Sequence, residues 1–100
     1  MATSLPITRD DTDISLTEPP MFNVLLHNDD YTTMDFVVEI LTAVFHKTVE
    51  QAHRIMLSVH QQGIGVCGTY TREIAETKVE TVHSAARERG YPLRCSMEET

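Results

Sequence analysis

The stretch "LLHNDDYTTMDF", residues 25–36, gathers an amide and two carboxylates at Asn28, Asp29 and Asp30, between an apolar run and a segment where hydrophobic spacing resumes. Asn and Asp favour such junctions because their side chains bond nearby backbone amides. Acceptors crowded against an apolar wall also suit a small cation, either a metal ion or an amine. Three chemistries can be weighed against the spacing. For a metal, the five histidines and the Asp29-Asp30 pair supply ligand types, yet His53 and His60 are seven residues apart and no H-E-x-x-H occurs, whereas ligands on adjacent helical turns stand three or four apart. No metal or cofactor is assigned. For acid-base catalysis, Asp29 and Asp30 are adjacent and in an extended chain point to opposite sides, a poor arrangement for a cooperating pair. Neither a G-x-S-x-G elbow nor a phosphate loop is present, so an enzyme is not expected.

The third chemistry is binding. Met56, Val59 and His60 stand at i, i+3 and i+4 on one helical face. If that helix packs on its predecessor, the cluster meets Met34, Val37 and the Asn28–Asp30 junction, and the result is a pocket apolar inside and polar at its mouth. Such a pocket suits a ligand with a hydrophobic body and a cationic head. A Met and Val stripe with one histidine is equally what an ordinary core contains, and the residues alone leave both readings open.

Positioning these side chains requires a small set of elements. Residues 1–20, "MATSLPITRDDTDISLTEPP", show no sustained periodicity and end in Pro19-Pro20, so a flexible N-terminal extension is expected there and the ordered domain is expected over 21–100. "MFNVLLH" reads as a strand with Phe22, Val24 and Leu26 on one face. Met34, Val37, Val38, Leu41, Val44 and Phe45 recur at helical spacing, with Thr32 or Thr33 as N-cap and Asp29, Asp30 and Asp35 near the positive end of the helix dipole. Thr48 and Gln51 have capping-box spacing ahead of a second helix that turns Ala52, Ile55, Met56 and Val59 inward and stops at Gly63.

"IGVCGTY" reads as a strand whose glycines mark a bulge or a close backbone approach. Thr71 is expected to cap a third helix, with Ile74, Ala75, Lys78, Val79, Val82 and Ala86 along one side and Gly90 at its end; Lys78 interrupts that side. In "YPLRCSM", Leu93, Cys95 and Met97 alternate as in a half-buried strand. The order β-α-α-β-α-β predicts an α+β fold: a small three-stranded antiparallel sheet with three helices packed on one face and the other face partly open.

Bulk properties bound the function. One hundred residues, 41% of them apolar and 23% charged, make one globular domain. The net charge of -7 argues against nucleic acid, because phosphate backbones are held by clustered Lys and Arg. No apolar run approaches the roughly 20 residues that span a bilayer, and the first residues lack the basic start and apolar core of a secretory signal. No membrane contact is expected, and a cytoplasmic location is. Cys67 and Cys95 show no C-x-x-C spacing and read as buried, reduced thiols.

The segments "VLLHNDDYTTMDFV", "AHRIMLSVHQQG", "GVCGTYTREIAETK" and "YPLRC" together closely resemble the ClpS family of adaptors for the ATP-dependent Clp protease, over residues 21 to about 97. The resemblance implies a noncatalytic module that binds proteins by a bulky hydrophobic first residue (Leu, Phe, Tyr or Trp) and hands these N-degron substrates to a hexameric Clp ATPase. It implies that Asn28, Asp29 and His60 receive the α-amino group. Met34, Val37, Met56, Val59 and Leu93 would line the side-chain pocket, with Asp30 and Thr32 supporting the loop. Glu73 and Lys78 would contact the N-terminal domain of a ClpA-type partner, and the extension would serve in delivery. Thr33 stands where many relatives have Pro, and His27 where an apolar residue is common. A regulatory interaction domain of the same fold, without recognition of N-terminal residues, is the competing reading; it has no need of Asn28, Asp29 and His60 together.

Overall fold

In the computed structural model, which describes residues 18–100, the elements follow the expected order: β1 (Met21–His27), α1 (Met34–Ala43), α2 (Val49–Gln62), β2 (Ile64–Thr71), α3 (Arg72–Arg89) and β3 (Arg94–Glu99). The expected extension lies outside the described residues up to residue 17, and Glu18, Pro19 and Pro20 are exposed chain without regular structure. β1 is the central strand, antiparallel to both neighbours in the order β2-β1-β3. Strand alternation puts Phe22, Val24 and Leu26 on one face. All three helices contribute to the core there: Phe36, Val37, Ile40 and Leu41 from α1, Ala52, Met56 and Val59 from α2, and Ala75, Val82 and Ala86 from α3. The opposite face carries Asn23, Leu25 and His27 and, from β2, the exposed Ile64 and Val66.

Both readings of the β2 glycines are realised. Val24 pairs with Gly68 and Leu25 with Val66, leaving Cys67 as the extra residue of a bulge. A Cβ on Gly65 would stand 2.7 Å from Val59 Cγ2, so α2 lies on β2 too closely for any side chain there. Cys67 and Cys95 are buried free thiols; burial raises both above the usual thiol range, Cys95 to about 12.

Local signals set the helix ends. The Thr48–Gln51 capping box is complete, with Gln51 N–H donating to Thr48 Oγ1 (3.1 Å) and Thr48 N–H donating to Gln51 Oε1 (3.0 Å). Gly63 ends α2 and Gly90 ends α3 at φ of 90° and 77°, the left-handed region where glycine carries no Cβ penalty. Thr71 occupies the N-cap position of α3, but its side chain accepts no capping hydrogen bond; the helix starts directly from the strand.

The apolar stripe of α1 differs in phase from the one read in the sequence. The buried residues are Phe36, Val37, Ile40 and Leu41, while Met34 is 43% exposed and Val38 half-buried. "MDFVVEILTAVF" is apolar at so many positions that two stripes one residue apart both fit, and a distant contact decides: Phe36 meets the ring of Tyr91 at 4.8 Å. The helix also stops at Ala43. His46 adopts φ of 56°, and Lys47 N–H donates to Leu41 O (3.0 Å), so Phe45 enters the core from the connection and not from the helix. Ile74, expected inward on α3, is 49% exposed.

Candidate functional site

The loop from β1 to α1 is built around one carboxylate. Asn28 N–H donates to Gly63 O (3.0 Å), which ties the loop to the end of α2. Asp29 Oδ1 accepts from Tyr31 N–H (2.8 Å) and Thr32 N–H (2.7 Å), and Oδ2 accepts from the Thr32 hydroxyl (2.7 Å). Partial burial pushes the Asp29 carboxyl upward, but the bonds from Thr32 and Tyr31 outweigh it and hold the group below the ordinary Asp value. It stays charged at neutral pH. A carboxylate has about four acceptor sites; three are occupied, so one remains on Oδ2. With Thr32 committed to Asp29, Thr33 is the N-cap of α1, accepting from Phe36 N–H (3.1 Å), and Met34 becomes the first helical residue.

Between this loop, the start of α1 and the end of α2 lies a cavity of about 250 Å³ lined by Asn28, Asp29, Asp30, Thr32, Met34, Val37, Met56, Val59 and His60. These are the residues expected at a pocket, with one exception. Leu93 is 4% exposed within the core and is not on the cavity wall. Val37, Met56 and Val59 are buried and form an apolar floor, whereas Asn28, Asp30, Met34 and His60 are exposed at the rim. No Lys or Arg lines the space. The side chains of Asn28, Asp30 and His60 make no hydrogen bond among the described residues, so their acceptor capacity is available to a ligand. Pockets for drug-sized molecules run from roughly 300 to 1,000 Å³; this one fits something smaller, such as one side chain and the amine beside it. No group of three or more His, Cys, Asp or Glu is placed to hold a metal ion among the described residues.

The other expected residues, Glu73 and Lys78, lie at the opposite end of α1. They line a larger, more open groove of about 470 Å³ between the α1 C-terminus, at Ala43, Val44 and His46, and α3, where exposed Ile74 joins them. Lys78 Nζ donates to Val44 O (2.6 Å) and lies 5.9 and 5.7 Å from the ring centroids of Phe45 and Tyr70. The cation on an apolar stripe therefore has an internal task, holding the C-cap carbonyl of α1 over two aromatic faces. Ile74 and His46 were not singled out in the sequence. The i, i+4 pairing of Ile74 with Lys78 is the one available signal for a shared exposed face.

Residues 17–96 match the family described as ATP-dependent Clp protease adaptor protein ClpS. The ATP-dependent Clp protease adapter protein ClpS of Oleidesulfovibrio alaskensis is 64% identical over 96 residues, covering 92% of each chain. Its namesake from Lawsonia intracellularis is 67% identical over 81 residues, 81% of this chain and 74% of that one. Among solved structures, Agrobacterium tumefaciens ClpS2 bound to L-phenylalaninamide shares the fold with a TM-score of 0.80 at 36% identity, over 83% of this chain and 100% of that one. The names describe adaptors and not enzymes.

Proposed function

The chain belongs to the ClpS family of adaptors for the ATP-dependent Clp protease, and on that premise we propose that it captures cytoplasmic proteins by a bulky hydrophobic first residue, Leu, Phe, Tyr or Trp, with a free α-amino group, and presents them to a Clp ATPase and its peptidase. The observation that carries this reading is the cavity itself: an apolar floor beneath a mouth whose acceptors have no internal partners. An α-ammonium group brings three N–H donors and a positive charge, and burying it demands matching acceptors. Asp29 supplies fixed negative charge and its remaining Oδ2 site, Asn28 its amide oxygen, and His60, when its imidazole is neutral, one ring nitrogen. The first side chain enters over Val37, Met56 and Val59, with Met34 at the rim and Asp30 and Thr32 shaping the loop. L-phenylalaninamide, the ligand named for the Agrobacterium relative, has this combination of free amine and bulky apolar group.

Docking to the N-terminal domain of a ClpA-type ATPase would use the groove at Glu73 and Lys78. Because the Lys78 ammonium is engaged by Val44 O, Glu73 and Ile74 offer the more accessible contacts. Residues 1–20 would act in delivery as an extension of the domain formed by 21–100.

The test is a titration with a short Leu-initiated peptide and the same peptide N-acetylated. Acetylation removes the charge and leaves acceptors unpaired at about 1–3 kcal/mol each, so affinity is expected to fall by at least roughly tenfold. Equal affinity for the two peptides would overturn the proposal.

A further inference from the structure

Resting on that reading, we infer that Tyr91, which lies outside the cavity, sets the selectivity of the cavity by fixing the first turn of α1 and with it Met34. Tyr91 occupies the short connection between α3 and β3. Its backbone is anchored by a hydrogen bond from its N–H to Ala86 O (2.9 Å). Its ring meets that of Phe36, with centroids 4.8 Å apart and planes inclined by 40°. The Thr33 hydroxyl, already the N-cap acceptor of α1, donates to the Tyr91 oxygen at 3.4 Å. Arg89, at the end of α3, adds a guanidinium 5.1 Å from the Phe36 ring centroid and a paired contact with Glu39 at 3.3 Å.

The grip therefore falls on Thr33, Phe36 and Glu39, three residues apart along one side of α1. The α1 residues on the cavity wall, Met34 and Val37, each stand one position further on, about 100° around the helix. The first N–H groups of a helix have no partner within it, and helix ends fray unless something holds them. At this end the holding groups are the Thr33 cap and the Tyr91 ring behind it. A firm first turn keeps Met34 at the rim, where it narrows the entrance beside the Cβ of an incoming first residue. A loosened turn lets Met34 swing away and admits residues branched at Cβ. Tyr91 is thus a positioning residue, acting through Met34.

The experiment is a double-mutant cycle read as a ratio of affinities, Ile-initiated over Leu-initiated peptide, so that a general loss of folded protein cancels. Tyr91→Ala is expected to raise the ratio about threefold to tenfold, and Tyr91→Phe, which keeps the ring, to stay within about twofold of the unaltered protein. In a Met34→Ala background, Tyr91→Ala is expected to leave the ratio where Met34→Ala put it. If Tyr91→Ala does not fold, Tyr91→Leu takes its place, keeping apolar volume without the ring. Proportional weakening of both peptides, or the same change in ratio with Met34 already removed, would overturn the inference. The unaltered protein is the control: binding of the Leu peptide with an unchanged ratio in the variants sinks this inference alone, whereas no binding sinks the reading beneath it as well.

Discussion

The two ends of α1 carry two concave surfaces that treat their polar groups in opposite ways. At the N-terminal end, Asp29 spends three acceptor sites on its own loop and keeps one, while Asn28 and His60 have no side-chain hydrogen bond among the described residues. At the C-terminal end, the one cation on the wall is committed to the Val44 carbonyl at 2.6 Å. The larger opening is the groove, but size is a poor guide to where a small ligand binds. A ligand is recognised where buried or half-buried polar groups are fixed in place and still lack a partner, since those groups gain most from one. The groove has fixed its charge for internal stability and offers instead a broad exposed surface, the kind another protein covers.

The most severe way to break this comparison is to remove the group on which the cavity depends. Asp29→Ala deletes the charge facing the ligand amine and also the acceptor for three loop hydrogen bonds. Truncating one partner of a hydrogen-bonded charge pair costs about 2–5 kcal/mol of binding, so a Leu-initiated peptide is expected to bind at least roughly thirtyfold more weakly. Fluorescence anisotropy with a labelled peptide measures this. A change of less than about twofold, well inside the error of the free-energy argument, would show that Asp29 only shapes the turn. The same variant should leave docking at the groove unaltered, because the two surfaces lie at opposite ends of the helix.

Lys78→Met sharpens the comparison from the other end. It keeps most of the side-chain volume and removes the donor to Val44 O. The expected result is a loss of about 1–2 kcal/mol in urea-induced unfolding, the worth of a charge-assisted hydrogen bond discounted for partial exposure, with peptide affinity unchanged within about twofold. Unchanged stability would return Lys78 to the role of an uncommitted surface cation.

What could be read in the sequence follows the range of each interaction. The Thr48–Gln51 capping box, the Gly63 and Gly90 stops and the turn at Asp29 are set by residues within a few positions of one another, and each is present. The cavity was legible for the same reason: Met56, Val59 and His60 fall on one face by helical spacing alone, and Asn28 to Thr32 form one local turn. The phase of α1 was not, because only the ring of Tyr91, placed by α3 far along the chain, chooses between two apolar stripes that propensity cannot separate. Leu93 fell to the core for a similar reason. An apolar residue ahead of a strand carries no local mark that distinguishes a cavity wall from the interior behind it. Lys78 on an apolar stripe was visible as an anomaly, but its partner, Val44 O, lies 34 residues away.

The smallest expected effect concerns His27, the last residue of β1 before the cavity loop. Its Nε2 lies 2.6 Å from Ser96 Oγ, and Arg94 is its cross-strand partner. Desolvation, and after it the Arg94 charge, lowers its pKa below the ordinary value of 6.5. The folded protein therefore binds this proton less readily than the unfolded chain does. Stability from His27 is fully present above the unfolded value and declines as pH falls from about 6.5 toward the folded pKa. Urea unfolding of the unaltered protein and of His27→Gln, compared between about pH 7.5 and 5, a window spanning the ordinary histidine range, isolates that share as a difference in slope, with other histidines cancelling. The effect should be local to the cavity end: amide exchange at Asn28, bonded to Gly63 O beside His27, should gain more from acidification in the unaltered protein than in the variant, after correction for intrinsic rates. Exchange at Lys47, bonded to Leu41 O at the groove end, should show no such difference. Equal slopes and equal exchange would mean that His27 takes up its proton without cost to the sheet, and that the two ends of α1 do not differ in their response to acid through this residue.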